Sequence, residues 1–293
     1  MVALKRKPLF GLALGGGGAR GFSHIGVLKI LELEDIRPQV IAGTSMGGII
    51  SALYASGMAV SDIEAEAKHM GDLSNMVKLL DNDLGIFSHI FSNESVQKYF
   101  SGLLAGKDSF EKLTVPLALA SVDILNARDI ALQEGSLIEA ISATMALPGV
   151  VEPLKKGNMC LVDGGSLNNV PADLVRSMGA EVVVAVDVSP DVTDENFWKE
   201  QRLPGIATAN WRTNAIMVSN FTAAKLRKVQ TNLIIRPEIS PRITTLSGFK
   251  HVEKLVDAGA RAALNALPEL RKLLKPRFYF SAAKIRRAEP AVL

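Results

Sequence analysis

Gly43-Thr44-Ser45-Met46-Gly47 sets a serine between two glycines. The Gly-x-Ser-x-Gly spacing suits a nucleophile elbow, a sharp strand-to-helix turn that exposes the serine oxygen for covalent attack. The flanks agree. An apolar run at 40–42 reads as a strand, and 48–56 reads as a helix. Glycine at both flanks removes side chains that such a turn would crowd and permits unusual dihedrals. The serine oxygen should emerge at the C-terminal edge of the sheet, where open α/β folds bind ligands. The helix N-terminus offers partial positive charge to an anion forming there.

A second feature follows the first strand. Gly15 to Gly18 are four consecutive glycines, ahead of Ala19, Arg20 and Gly21. Such a loop leaves backbone N–H groups uncovered and can present them to a phosphate or an oxyanion. Gly16, Gly18 and Gly21 also satisfy Gly-x-Gly-x-x-Gly. The dinucleotide fingerprint wants an acid about 20 residues on, at the end of the next strand. That strand leads instead into Gly43, Thr44 and Ser45, and Glu34 and Asp35 precede it.

The third feature, Asp163-Gly164-Gly165, closes a strand at 159–162. An aspartate at a strand's C-terminal end is expected on the same sheet edge as Ser45. Its carboxylate could take the serine proton. With an ordinary pKa of about 3.9 it needs a partly desolvated pocket to act as a base near neutrality. The structural alternative is a turn that merely closes the strand.

A histidine triad is the mechanistic rival. His24 falls in the first helix and reads as structural, and His69 and His89 precede Asp163. Only His251 satisfies the order serine, acid, histidine, and its surroundings read as a helix start. Asp123 and Asp187 end or nearly end strands and are expected to serve structural hydrogen bonds. Cys160 is expected to be a small buried apolar residue. As the single cysteine of the chain it excludes an internal disulfide and a cysteine-built zinc site.

These residues need a scaffold. The chain has 293 residues, 48% hydrophobic and 22% charged, which suits a globular protein with a full core. Strand candidates at 9–14, 40–42, 117–122, 129–132, 159–162, 181–188 and 232–235 alternate with helical stretches. That alternation implies one α/β domain in three α/β/α layers around a mostly parallel sheet. The first helix is expected over 20–35, stopping before Pro38. Pro171 suits a helix start and Gly179 the end of the same helix. Segments 70–100 and 190–217 fit the sheet pattern poorly. The first carries Met70, Met76, Leu79, Leu80, Ile86, Phe87, Ile90 and Phe91, the second Trp198 and Trp211. Both are expected to act as lids or substrate walls, with core packing as the alternative.

No run of about 18 apolar residues suggests a membrane-spanning helix. Residues 1–19 imitate a signal peptide, but Pro8 and the glycines interrupt the apolar run, so a first strand is expected. Net charge is +3, unevenly spread. Residues 271–293 hold seven basic residues and Glu289, giving +6, which leaves −3 on 1–270. This basic tail, with Phe278, Tyr279 and Phe280, is a candidate for peripheral contact with an anionic membrane, against the simpler reading of a solvated extension.

Taken together, the three motifs resemble the patatin-like phospholipase family, in particular its bacterial cytoplasmic members. The stretch from Ala143 through Thr144 to Gly149 looks similar as well, and the likeness runs over about 9–266. The resemblance implies a domain at 1–270 and a serine–aspartate dyad, with Ser45 as nucleophile and Asp163 as general base. It further implies an oxyanion hole from Gly16, Gly17 and Gly18, supported by Arg20, Gly21, Gly43, Gly47, Gly164 and Gly165. The implied substrate is a fatty-acyl ester of a phospholipid or lysophospholipid, with no metal and no cofactor. The expected location is cytoplasmic, peripheral to the inner membrane face, with no nucleic-acid partner. A dinucleotide-binding protein and a non-catalytic regulatory protein are the competing readings.

Overall fold

The structure, a computed structural model, describes residues 2–71, 92–195, 205–245 and 248–281. In chain order the strands are β1 (Val2–Arg6), β2 (Phe10–Leu14), β3 (Val40–Gly43), β4 (Leu117–Asp123), β5 (Arg128–Leu132), β6 (Leu154–Lys156), β7 (Met159–Asp163), β8 (Val182–Val186), β9 (Leu233–Ile235) and β10 (Arg277–Ser281). An eight-stranded sheet runs β6-β7-β4-β3-β2-β8-β9, with β5 paired to β4. The pairings β2–β3, β2–β8, β3–β4 and β8–β9 are parallel. Those of β4 with β5 and β7, and of β6 with β7, are antiparallel.

The central strands are buried throughout, as apolar runs covered on both faces should be. Side chains alternate across the sheet. Leu12, Leu14, Ile41, Leu117, Leu119 and Val184 enter one core. Against them pack α1 (Ser23–Leu33), α2 (Met46–Ala55), α3 (Val60–Gly71), α4 (Asn93–Leu104) and α5 (Leu137–Thr144). The other face is built from smaller residues, Ala13, Ala42, Ala118 and Ala185 among them. It receives Val175 and Leu226. These come from α7 (Ala172–Ser177) and α8 (Gly205–Lys228); the short α6 (Gly165–Asn168) precedes them. The result is the α/β/α sandwich expected from the alternation.

The last helix, α9 (Val252–Leu273), crosses α1 at two glycines. A Cβ on Gly26 would lie 1.9 Å from the Val256 carbonyl oxygen, and one on Gly259 1.8 Å from that of Ser23. The backbones therefore touch, and neither position has room for a methyl group.

Several expectations need correcting. A 3-10 turn, Gly18–Phe22, precedes α1, so the helix expected from residue 20 starts at Ser23. The short strand β6 escaped notice, although Gly157-Asn158 between β6 and β7 is a hairpin signal. The basic tail is not simply a solvated extension. Arg277–Ser281 pairs antiparallel with Val2–Arg6, and α9 runs through the expected boundary at 270. Cys160 is partly exposed. Pro171 caps α7 at its start, and Gly179 follows its end with φ of 96°. Met76, Leu79, Leu80, Ile86, Phe87, His89, Ile90, Phe91 and Trp198 lie outside the described residues, as does the tail beyond 281. Among the described residues no helix is long and apolar enough to cross a membrane.

The helix crossing is directly testable. Gly259→Ala should cost about 1–3 kcal/mol of stability through overpacking, read by chemical denaturation. Unchanged stability would contradict the backbone contact.

Candidate active site

Ser45 follows β3 with φ 55° and ψ −126°. A non-glycine residue held there costs about 1–3 kcal/mol, so its surroundings must enforce it. They do so on both sides. A Cβ on Gly43 would stand 2.4 Å from the Gly47 oxygen, and one on Gly47 2.3 Å from the Leu14 oxygen. The elbow thus folds onto itself and onto the end of β2. The Ser45 N–H donates to the Thr144 hydroxyl at 3.0 Å, and that hydroxyl donates to the Ala120 carbonyl at 2.6 Å. The Thr44 hydroxyl donates to the Asn168 carbonyl at 2.7 Å.

Asp163 reaches this elbow by register. Gly43 opposes Leu119 across β3 and β4, and Ser121 opposes Asp163 across β4 and β7. Ser45 and Ser121 each lie two residues beyond the first pair, so Asp163 stands level with the serine. The expectation of a shared edge holds, but its reasoning does not. Strand β7 is antiparallel and meets only the far end of β4, Ser121–Asp123. That overhang brings the end of β7 to the edge where β3 ends.

The Asp163 side chain is buried, only 6% exposed. Burial pushes its pKa up to about 6, against the opposing pull of hydrogen bonds from the Ser45 side chain and the Gly165 N–H. The latter is 2.7 Å from Oδ1. A group at about 6 is ionised at neutral pH yet basic enough to accept a proton.

The glycine loop packs on the serine: a Cβ on Gly16 would lie 3.2 Å from that of Ser45. One expectation changes here. The Gly16 N–H already donates to the Asn169 carbonyl at 2.9 Å. It is therefore not free for an oxyanion, whereas the N–H groups of Gly17 and Gly18 have no acceptor among the described residues. Asn169, which sequence motifs did not single out, also donates from its side chain to the Gly16 carbonyl at 3.3 Å and to Ser189 at 3.0 Å. Arg20 is buried and donates to the carbonyls of Val188 and Ile243. Desolvation lowers its pKa to about 10, an effect Asp187 partly opposes. Gly21 abuts Met46, and Gly164 abuts the Ala120 carbonyl, each with no room for a Cβ.

Over these residues lies a cavity of about 440 Å³. Gly16, Gly17, Gly18, Ser45, Asp163 and Asn169 border it, and its walls are mostly apolar, including Ile49, Met70, Phe100, Met145, Trp211 and Phe249. The described parts of segments 70–100 and 190–217 thus supply walls. No histidine among the described residues lines the cavity. His24 is fully buried, with Nε2 2.7 Å from the Gly15 carbonyl and its pKa lowered to about 4 by desolvation. His251 sits at the start of α9. Asp123 accepts N–H groups from Leu125 and Cys160, and Asp187 pairs with Arg236 and accepts the Ser189 N–H. Both serve structural hydrogen bonds.

The chain is similar to known proteins. Residues 12–176 match the family described as Patatin-like phospholipase. Patatin-like phospholipase domain-containing protein 6 of Mus musculus is 38% identical over 194 residues, covering 62% of this chain and 14% of that protein. An uncharacterized NTE family protein of Mycobacterium tuberculosis is 30% identical over 282 residues, covering 89% of this chain and 47% of that protein. The chain thus spans less than half the length of these curated relatives. The crystal structure of VipD from Legionella pneumophila superposes with a TM-score of 0.53 at 14% identity, over 92% of this chain and 67% of that one, a likeness of fold. With more than half of its length matched, including the glycine loop, the serine elbow and the aspartate, the chain belongs to the patatin-like phospholipase family.

Proposed function

We propose that the protein is a serine esterase that cleaves fatty-acyl esters of phospholipids or lysophospholipids through a Ser45–Asp163 dyad. The observation that carries this reading is the buried Asp163 carboxyl, hydrogen-bonded by Ser45 at the floor of an apolar cavity. Family membership supports the lipid-hydrolase class.

The Ser45 oxygen attacks the ester carbonyl carbon while Asp163 takes its proton. Negative charge moves to the carbonyl oxygen, where the Gly17 and Gly18 N–H groups donate to it. Loss of one such donor typically costs about 2.7–4 kcal/mol of barrier. Collapse breaks the ester bond, and Asp163 returns the proton to the departing alcohol. Water, deprotonated by Asp163, then releases the fatty acid from Ser45. The apolar walls receive the acyl chain, at about 0.8 kcal/mol per buried methylene.

The rival readings have less support. In the dinucleotide fingerprint the glycines open directly into a helix, whereas here a 3-10 turn intervenes. A purely regulatory protein would have no use for a strained serine beside a desolvated carboxyl.

Two outcomes test the reading. A fluorophosphonate probe should label the wild type at Ser45, and Ser45→Ala and Asp163→Asn should lose about 10³-fold or more of p-nitrophenyl ester turnover. His251→Ala should keep it; a folded wild type that neither labels nor hydrolyses contradicts the proposal. The pH profile should also follow Asp163. Its carboxyl is raised, so it takes up a proton as pH falls through about 6 and the base is lost. kcat/KM should therefore rise with pH and level off above about 6; a profile flat from pH 4 to 8 would contradict this role.

A further inference from the structure

Helix α8 is anchored to the body near its end, where Thr222 and Leu226 are buried. Its earlier turns instead form a wall of the cavity, with Trp211, Ala215 and Val218 on the inner stripe. Outside that stripe stand Ile216, Met217 and Phe221, 45%, 51% and 48% exposed. Met217 and Phe221 are one turn apart and adjoin. Exposed Leu147 lines the cavity as well. Ile124 and Leu125, also exposed, directly follow β4 at the sheet edge from which Ser45 emerges. Among the described residues, the other large apolar side chains that are exposed are Leu33, Leu264 and Phe278. Exposed apolar side chains of α8, and Leu147, thus stand on segments that border the cavity, and such surface marks a binding face.

Charge indicates what covers it. Helix α8 contains no acidic residue and carries Arg212, Lys225, Arg227 and Lys228. Lys225 pairs with Asp129 and Asp173, while Arg227 and Lys228 are exposed. Lys228 continues the stripe of Met217 and Phe221, three turns and two turns on. An acid-free helix with exposed aromatic and aliphatic residues and a basic last turn suits an anionic lipid interface. The described part of the basic tail is separate from this stripe: it pairs with β1.

We infer that the exposed side of α8, around Met217 and Phe221, is the surface by which the protein docks on an anionic membrane, beside the cavity that the same helix walls. The inference rests on the esterase reading, since it takes the cavity's cargo to be lipid.

The test is co-flotation of the full chain with vesicles of equal parts phosphatidylcholine and phosphatidylglycerol. Met217→Ser/Phe221→Ser should reduce the bound fraction about tenfold. Leu33→Ser/Leu264→Ser, which alters exposed residues elsewhere, should stay within about twofold of the wild type. Both should hydrolyse a soluble butyrate ester at near wild-type rate, which also reports folding. Unchanged vesicle binding by Met217→Ser/Phe221→Ser, or an equal loss in the control, would overturn the docking face. So would a wild type that ignores vesicles and self-associates through these residues. Ester hydrolysis without vesicle binding overturns docking and leaves the esterase. Vesicle binding through α8 without ester hydrolysis overturns the esterase and leaves docking.

Discussion

A carboxyl group removed from water holds its proton more tightly, and Asp163 is removed from water beside a serine hydroxyl. That desolvation is unfavourable to the charged form and has to be sustained by the fold. The overhang of β4 beyond β3 provides the place. There β7 can enter antiparallel and end level with the elbow. Thr144 binds the elbow to β4, so the serine backbone and the strand that carries the aspartate's register share one hydrogen-bonded frame.

The glycine loop belongs to the same frame. Asn169 holds Gly16 through both its backbone carbonyl and its side chain, and His24 meets the Gly15 carbonyl from below. Arg20 ties the segment after β8 to the one before α9. The α1–α9 crossing, with no room for a methyl at either glycine, fixes the helix that bears His24. A loop of consecutive glycines would otherwise sample many conformations. Its rigidity is imposed by these contacts.

Much of this was legible in the residues. Gly43, Ser45 and Gly47 are spaced for an elbow, and the central strands read as apolar runs because both of their faces are covered. What escaped has physical reasons. A strand's direction is not written in its own side chains, so β7 looked like one more parallel strand; only Gly157-Asn158 hinted at a hairpin. The pairing of β1 with β10 joins segments at the two ends of the chain that share no periodic signal. The Gly16 amide looked available because its acceptor, Asn169, is brought to it by tertiary structure.

The proposed base is a buried aspartate, tuned by its burial and by Ser45. The direct measurement is a carbon-13 NMR titration of the Asp163 carboxyl in wild type and in Ser45→Ala. A wild-type pKa of about 6 is expected, with a higher value in the variant, because the serine hydrogen bond that lowers it is gone. Titration in the ordinary range near 3.9, unmoved by the substitution, would contradict it.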